Sequence, residues 1–231
     1  ILDWDEDETE ASGEHPSVDW LLGDEVIKPV DTGGLTFLTP DECADLPARD
    51  YVVKQLIAPG QLGCIFGEPG AGKSLIAPWL AYAVAQGEGV FDLRTKQGSV
   101  FYIACEDEDG MAGRVAALRD YLGPVQDFHL VRGCSDLFSP GQIASKGSPN
   151  LTALVKQIQE VRPKLIVVDT LAMSMPGLEE NDAAGMNRVV QIGKRLAKYG
   201  ASVIYVHHGT KAEGNTPRGH SVFNGALDFS I

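Results

Sequence analysis

Two kinds of apolar pattern alternate along this chain from about residue 50 onward. Short continuous runs occur at LGCIFG (62–67), GSVFYIACED (98–107), KLIVVDT (164–170) and ASVIYVHH (201–208), with DFHLVRG (127–133) as a further candidate strand. KLIVVDT is apolar on both faces, the pattern of a strand buried within a parallel sheet. Between these runs the apolar residues take helical spacing. Met111, Val115, Leu118 and Leu122 stand at i, i+4, i+7 and i+11, one face of a helix. PNLTALVKQIQEV (149–161) is another amphipathic segment, with Asn150 as its expected N-cap. A further helix is predicted from about Asp182 to Tyr199, capped by Asn181 or Asp182 and stopped by Gly200. The helix that follows LGCIFG is expected to run to about Gln86, and Pro78 within it removes a backbone donor and predicts a local kink. Strands alternating with crossover helices predict an α/β fold: a mostly parallel, twisted sheet with helices on both faces. No internal repeat is visible. The last residues, GALDFSI (225–231), read as the start of another strand, so the domain is expected to continue past Ile231.

Composition changes this picture mainly at the amino end. The 231 residues are 44% hydrophobic and 22% charged, which suits a soluble domain with a substantial core. No run of about 18 apolar residues occurs, so no membrane span is expected. The net charge is −13, but residues 1–28 hold ten acidic residues against the single base Lys28, which leaves −4 for the rest. Residues 1–35 therefore read as an acidic, partly disordered tail and docking segment, and residues 36–231 as the globular domain. Ser17 is an N-cap candidate ahead of Val18, Trp20, Leu21 and Leu22. Trp4 and Trp20 suggest docking, either onto the chain's own domain or as a clasp on a neighbouring subunit. The start has no basic or apolar region of a signal peptide and no initiator Met, so a processed or trimmed piece is expected. Cys43, Cys64, Cys105 and Cys134 form no CxxC or zinc spacing. Cys64 and Cys105 lie in apolar runs as small core hydrophobes, and this usage fits a reducing cytoplasm. Because a local pore or loop can hold nucleic acid on an acidic protein, net charge neither supports nor excludes that partner.

The candidate chemistry starts at GEPGAGKS (67–74), which matches G-x-x-x-x-G-K-[ST] and stands between a strand and a helix, as the motif requires. Gly67, Gly70 and Gly72, with Glu68, Pro69 and Ala71 between them, let backbone N–H groups wrap around phosphates. The helix N-terminus adds its positive end. Lys73 is expected to reach the β and γ phosphates, and the Ser74 hydroxyl to ligate Mg²⁺, so the chain is expected to bind ATP and Mg²⁺. Asp169 ends an apolar strand at the same sheet edge, where it can hold Mg²⁺ through water, with a helix cap as the other role open to it. Glu106 and Asp107 end a second strand there. Glu106 is assigned as the base that polarises the attacking water, and Asp107 as its support or as the cap of the next helix. His207 and His208 end a strand expected beside the P-loop strand. Only one can face the site, because successive side chains alternate, and His208 is preferred as the γ-phosphate sensor. The polar loop KAEGNTPRGHS carries Lys211 and Arg218. It is open to three readings: a nucleic-acid contact, an arginine finger reaching a neighbour's site, or an ordinary solvated loop. MSMPGLEENDAAGMN, after Asp169, reads as a mobile loop on the same edge.

In this order the motifs resemble the RecA-like ATPase core and, within it, the RepA-like plasmid and phage helicase group. The resemblance covers roughly residues 50–231. It rests on YVVKQLIAPGQLGCIFGEPGAGKS, KQGSVFYIACEDE, KLIVVDTLA with the later EEND, and VIYVHHGTK followed by PRGHSVFNGALD. The first stretch alone names only P-loop NTPases; the paired histidines before RG-x-S narrow the group. The resemblance implies a ring, usually a hexamer, with ATP between subunits, single-stranded DNA in the channel and replication proteins as further partners. It implies Lys73 and Ser74 on phosphate and Mg²⁺, Glu106 on water, Asp169 as the Walker B acid, His208 (or His207) as sensor and Arg218 as a finger in trans. It also implies a bacterial cytoplasmic protein, plasmid- or phage-encoded. Pro78, the acidic tail and the missing carboxy-terminal strands depart from the pattern. The leading expectation is ATP hydrolysis coupled to translocation on single-stranded DNA. The alternative is a DNA-associated loader or regulatory ATPase that does not unwind. A small-molecule kinase would need an acceptor pocket and an arginine-rich lid, and residues 133–148 hold Lys146 as their one base.

Overall fold

The computed structural model describes residues 36–139, 148–210 and 216–231. The expectations for Trp4, Ser17 and Trp20 in the acidic tail, and for Lys146 and Lys211, lie outside the described residues. The chain divides into two units, Ile1–Pro47 and Ala48–Ile231. In the first, α1 (Pro40–Ala44) opens with a reciprocal cap: the Thr39 hydroxyl accepts from Glu42 N at 3.3 Å, and the Glu42 carboxylate accepts from Thr39 N at 2.8 Å. Residues 36–47, grouped with the globular domain in the sequence reading, fall outside the unit that carries the sheet.

The second unit runs β1 (Leu62–Gly67), α2 (Lys73–Gln86), β2 (Val100–Ala104), α3 (Glu108–Leu122), β3 (Phe128–Val131), α4 (Pro149–Val161), β4 (Leu165–Asp169), a 3₁₀ turn (Ala172–Ser174), α5 (Ala183–Ala197), β5 (Ser202–His208), α6 (Ser221–Ala226) and β6 (Phe229–Ser230). The six strands form one sheet in the order β3-β2-β4-β5-β1-β6. Every neighbouring pair is parallel, so the mostly parallel sheet expected from the sequence is wholly parallel among the described residues.

Each inner strand feeds two cores by simple alternation. Leu62 and Cys64 of β1, Phe101 and Ile103 of β2, Ile166 and Val168 of β4, and Val203 and Tyr205 of β5 pack with Leu154 and Ile158 of α4, Met186 and Val189 of α5, and Phe223 of α6. The intervening residues, among them Ile65, Tyr102, Ala104, Val167 and Val206, pack with Ala77, Leu80, Ala81 and Val84 of α2 and Met111 of α3. Side chains two apart share a face, so this alternation fixes what the strand tips present. Glu106, Asp169 and His208 carry the parity of the α2 face, whereas His207 carries that of the α5–α6 face.

Local choices follow recognisable causes. α2 is continuous from Lys73 to Gln86 with Pro78 buried inside it. α3 starts earlier than its apolar periodicity suggests, because the Asp107 side chain accepts from Gly110 N at 3.0 Å and caps it. Ser148, not Asn150, caps α4: its hydroxyl accepts from Leu151 N at 3.1 Å, and Pro149 supplies a preset φ at the first helical position. Asn150 instead donates to the Gly133 carbonyl at 2.9 Å and to Asp136 at 2.6 Å, pinning the helix start to the preceding loop. Asp182, of the two candidates, caps α5. α6 has no counterpart in the sequence reading. A Cβ on Gly63 would overlap the Phe229 ring, so glycine there lets β6 lie against β1. No described helix is long and apolar enough to cross a membrane.

Candidate active site

The site is assembled at the carboxyl edge of the sheet, starting from the turn between β1 and α2. Gly70 and Gly72 sit at φ +82° and +86° with open space where a Cβ would stand, so these positions need glycine for its backbone freedom. Gly67 is different: its φ is not in the left-handed region, and a Cβ there would meet Ala71 Cβ at 3.4 Å. No side chain caps α2, whose N-cap is Gly72. The turn thus leaves first-turn donors for an anion. Lys73 is buried, and its ammonium donates to the Gly67 and Glu68 carbonyls at 2.9 Å each. Two of its three protons are used, so one is left to meet a phosphate oxygen.

Three strand tips complete the edge. Asp169, at the end of β4, is buried, and its Oδ2 accepts from the Tyr102 hydroxyl at 2.6 Å. Burial pushes its carboxyl above the usual carboxylate range; the Tyr102 bond pulls it back, while Glu106 adds to the rise and Arg114 and Lys73 oppose it. Glu106 is exposed and held by the Thr170 hydroxyl, which donates to Oε2 at 3.0 Å. Glu106, Asp169, Thr170, His208, Lys73, Ser74 and Arg114 line one cleft of about 280 Å³. Asp107, the α3 cap, also reaches the rim, where Arg114 stands 3.3 Å from its carboxylate. A larger hollow, about 950 Å³, opens at the opposite sheet edge between Trp79 and Gln86 of α2 and Tyr121 of α3. It holds none of the motif residues, so volume does not locate the chemistry.

The two histidines part as their parity requires. His208 faces the cleft. His207 is fully buried against Phe223, with ring centroids 6.0 Å apart, and its Nε2 lies 3.0 Å from the Arg218 carbonyl. A carbonyl only accepts, so Nε2 carries the proton. Burial, with the neighbouring His208, pushes His207 down to about 4, so it is neutral near pH 7. Arg218 does not line the cleft within its own chain. Its backbone N donates to the His208 carbonyl at 2.8 Å, and its guanidinium Nε lies 2.9 Å from Glu180 Oε2.

Sequence reasoning missed Tyr102, Thr170 and Arg114. Thr170 follows Asp169 and so carried a readable signal; Tyr102 shares the parity of Glu106 in one strand, but its meeting with Asp169 needs the β2–β4 register. Arg114 depends on where α3 settles and carried none. Among the described residues no group of three or more His, Cys, Asp or Glu side chains could hold a metal. One hydroxyl, Ser74, and one buried carboxylate, Asp169, beside a phosphate cradle fit Mg²⁺, which is typically held by one or two protein oxygens plus substrate phosphates.

A family model described as an AAA domain matches residues 31–214. The chain belongs to this AAA domain family. The AAA domain chain is thus a P-loop NTPase, with the nucleotide expected on residues 67–74. Its fold is similar to the crystal structure of a KaiC-like protein from the hyperthermophilic archaeon Pyrococcus horikoshii. The TM-score is 0.51 at 15% identity, over 79% of this AAA domain chain and 74% of that one. That likeness is one of fold, a RecA-like core.

Proposed function

We propose that this AAA domain protein is an ATP-hydrolysing motor of the RepA-like helicase type, coupling hydrolysis to binding and translocation on single-stranded DNA. The observation that carries the reading is the meeting of Lys73, Ser74, Glu106, Asp169 and His208 in one cleft at the carboxyl edge of the sheet. Lys73 and the first-turn donors of α2 bind the phosphates. Mg²⁺, when bound, supplies charge neutralisation at the β and γ phosphates, with Ser74 and Asp169 as its protein contacts. Glu106 takes the proton of the attacking water, and Thr170 orients its carboxylate. His208 meets the γ phosphate and relays its presence to the segment beyond β5.

The coupling to DNA is supported by how that segment is tied. The backbone of Arg218 bonds to His208, His220 N donates to the Glu180 carbonyl at 2.9 Å, and Arg218 pairs with Glu180. The loops after β4 and β5 are thus joined to each other and to the sensor strand. A change at the γ phosphate can move both together. We assign the protein to a homo-oligomer, a hexameric ring, with Arg218 acting across the subunit boundary. The test is the steady-state ATPase rate with and without single-stranded DNA, beside Glu106→Gln. Stimulation by DNA that is lost in the variant supports the motor. Hydrolysis indifferent to every nucleic acid sinks it.

A further inference from the structure

We infer that Tyr102 is the positioning residue for the Asp169 carboxylate, holding Oδ2 so that Oδ1 is presented to the metal that accompanies the nucleotide. The inference rests on the nucleotide-site reading and deepens it. Tyr102 lies in the middle of β2, and its register partner on β4 is Val167. Asp169 lies beyond Val167 on the same face, so the phenol runs along the sheet toward the carboxyl edge and meets the carboxylate at 2.6 Å. The ring itself is set by the fold and not by the site: it stacks on Phe128 of β3, centroids 6.0 Å apart and planes 22° from parallel, and is completely buried. Its hydroxyl therefore stands in place before any ligand arrives.

The carboxylate needs such a partner for two reasons. The terminal torsion of an aspartate is broad and roughly two-fold, so without a fixed donor either oxygen can turn inward. A buried carboxylate also loses the hydrogen bonds of water and must recover them from protein. Tyr102 is the one protein donor to Asp169 side-chain oxygens among the described residues. Lys73 and Arg114 act on it only as nearby charges. Loss of the hydroxyl releases the rotation and leaves Oδ2 to compete for the cleft.

The experiment titrates Mg²⁺ into protein with a fluorescent ATP analogue and repeats the nucleotide titration in EDTA. Tyr102→Phe is expected to raise the Mg²⁺ midpoint about tenfold or more, the range seen when groups that orient metal ligands are removed. Nucleotide affinity in EDTA is expected to stay within about twofold, since the P-loop contacts do not involve Tyr102. Tyr82→Phe is the control, because its hydroxyl donates to the Gly123 carbonyl at 2.6 Å, away from the site. An unchanged midpoint in Tyr102→Phe, an equal loss in EDTA, or the same rise in Tyr82→Phe overturns the inference. Wild-type protein that binds no nucleotide, with Mg²⁺ or in EDTA, defeats the nucleotide-site reading itself, whereas nucleotide binding that ignores Mg²⁺ overturns the inference alone, which separates the two failures. Should Tyr102→Phe not fold, 3-fluorotyrosine placed at position 102 alone keeps the hydroxyl and reports by ¹⁹F NMR. Mg²⁺ added to the nucleotide-loaded protein is expected to shift that signal and not the signal of the same label at position 82. A signal at 102 that stays still counts against the inference.

Discussion

At the scale of single residues, the cleft separates two acids by environment. Glu106 is exposed and oriented by one hydroxyl, whereas Asp169 is buried and held by a phenol. An exposed, oriented carboxylate suits proton transfer to and from water; a buried one suits a fixed electrostatic contact. Glu106→Gln keeps the shape and removes the proposed base, so hydrolysis is expected to fall by about 10²–10⁴-fold, the usual worth of general base catalysis. Binding of an ATP analogue, measured by fluorescence, is expected to stay near wild type. Hydrolysis that survives the substitution would move the base elsewhere. His207 offers a pH test with a definite sign. Its pKa is depressed in the folded protein, to about 4, below the ordinary value of 6.5. Between these values the unfolded chain binds the extra proton, so stability falls as pH drops from 6.5 toward 4 and is unaffected by this group above 6.5. The shift corresponds to a loss on the order of 3 kcal/mol across that window. His207→Asn is expected to flatten this part of the urea-midpoint profile. A variant as acid-sensitive as wild type would show that His207 titrates normally.

At the scale of elements, strand alternation did most of the work of placing side chains. The same count that buries Val206 under α2 turns His208 into the cleft and His207 away; ASVIYVHH by itself showed only that one of the two would face the site, with His208 preferred. The P-loop, Glu106 and Asp169 were readable for the same reason: motif spacing and strand ends are local properties. Tyr102 on Asp169 was not, because it needs the β2–β4 register, which no local pattern states. Neither was the tie between Arg218 and Glu180, which joins two loops from different strands. The α4 cap was misplaced because amphipathic spacing marks a helix's face more sharply than its first residue. Ser148 followed by Pro149 was the local signal that settles it. Ser148→Ala is expected to destabilise the protein by about 1 kcal/mol, the usual value of an N-cap, and Asn150→Ala to leave the cap bond intact. Comparing the denaturant midpoints of the two variants checks this. If hydrogen exchange at the Leu151 amide accelerates in Asn150→Ala and not in Ser148→Ala, the cap has been assigned to the wrong residue.

At the scale of the whole molecule, the question is whether the cleft of one chain is chemically complete. On the proposed reading it gathers a phosphate grip, a base, a metal contact and a sensor, while Arg218 from the loop after β5 is engaged elsewhere. Arg218 pairs with Glu180 while its side chain stays nearly half exposed, so it stands at the surface within its own chain. If Arg218 completes a neighbour's site, as proposed, the functional unit is an interface built from two unlike surfaces, the head-to-tail contact that closes into rings. This has a consequence that no single-chain mechanism shares. Glu106→Gln and Arg218→Ala proteins are each expected to be inactive alone, because every interface in either assembly lacks one group. Mixed in equal amounts and allowed to exchange subunits, about a quarter of interfaces would pair an intact Glu106 from one chain with an intact Arg218 from the next. ATPase activity should therefore reappear on mixing, rise toward equal proportions and fall on either side. Its concentration dependence should follow assembly measured by light scattering. A mixture as inactive as its components, under conditions where subunits demonstrably exchange, would confine Arg218 to its tie with Glu180. It would also remove the ring from the mechanism.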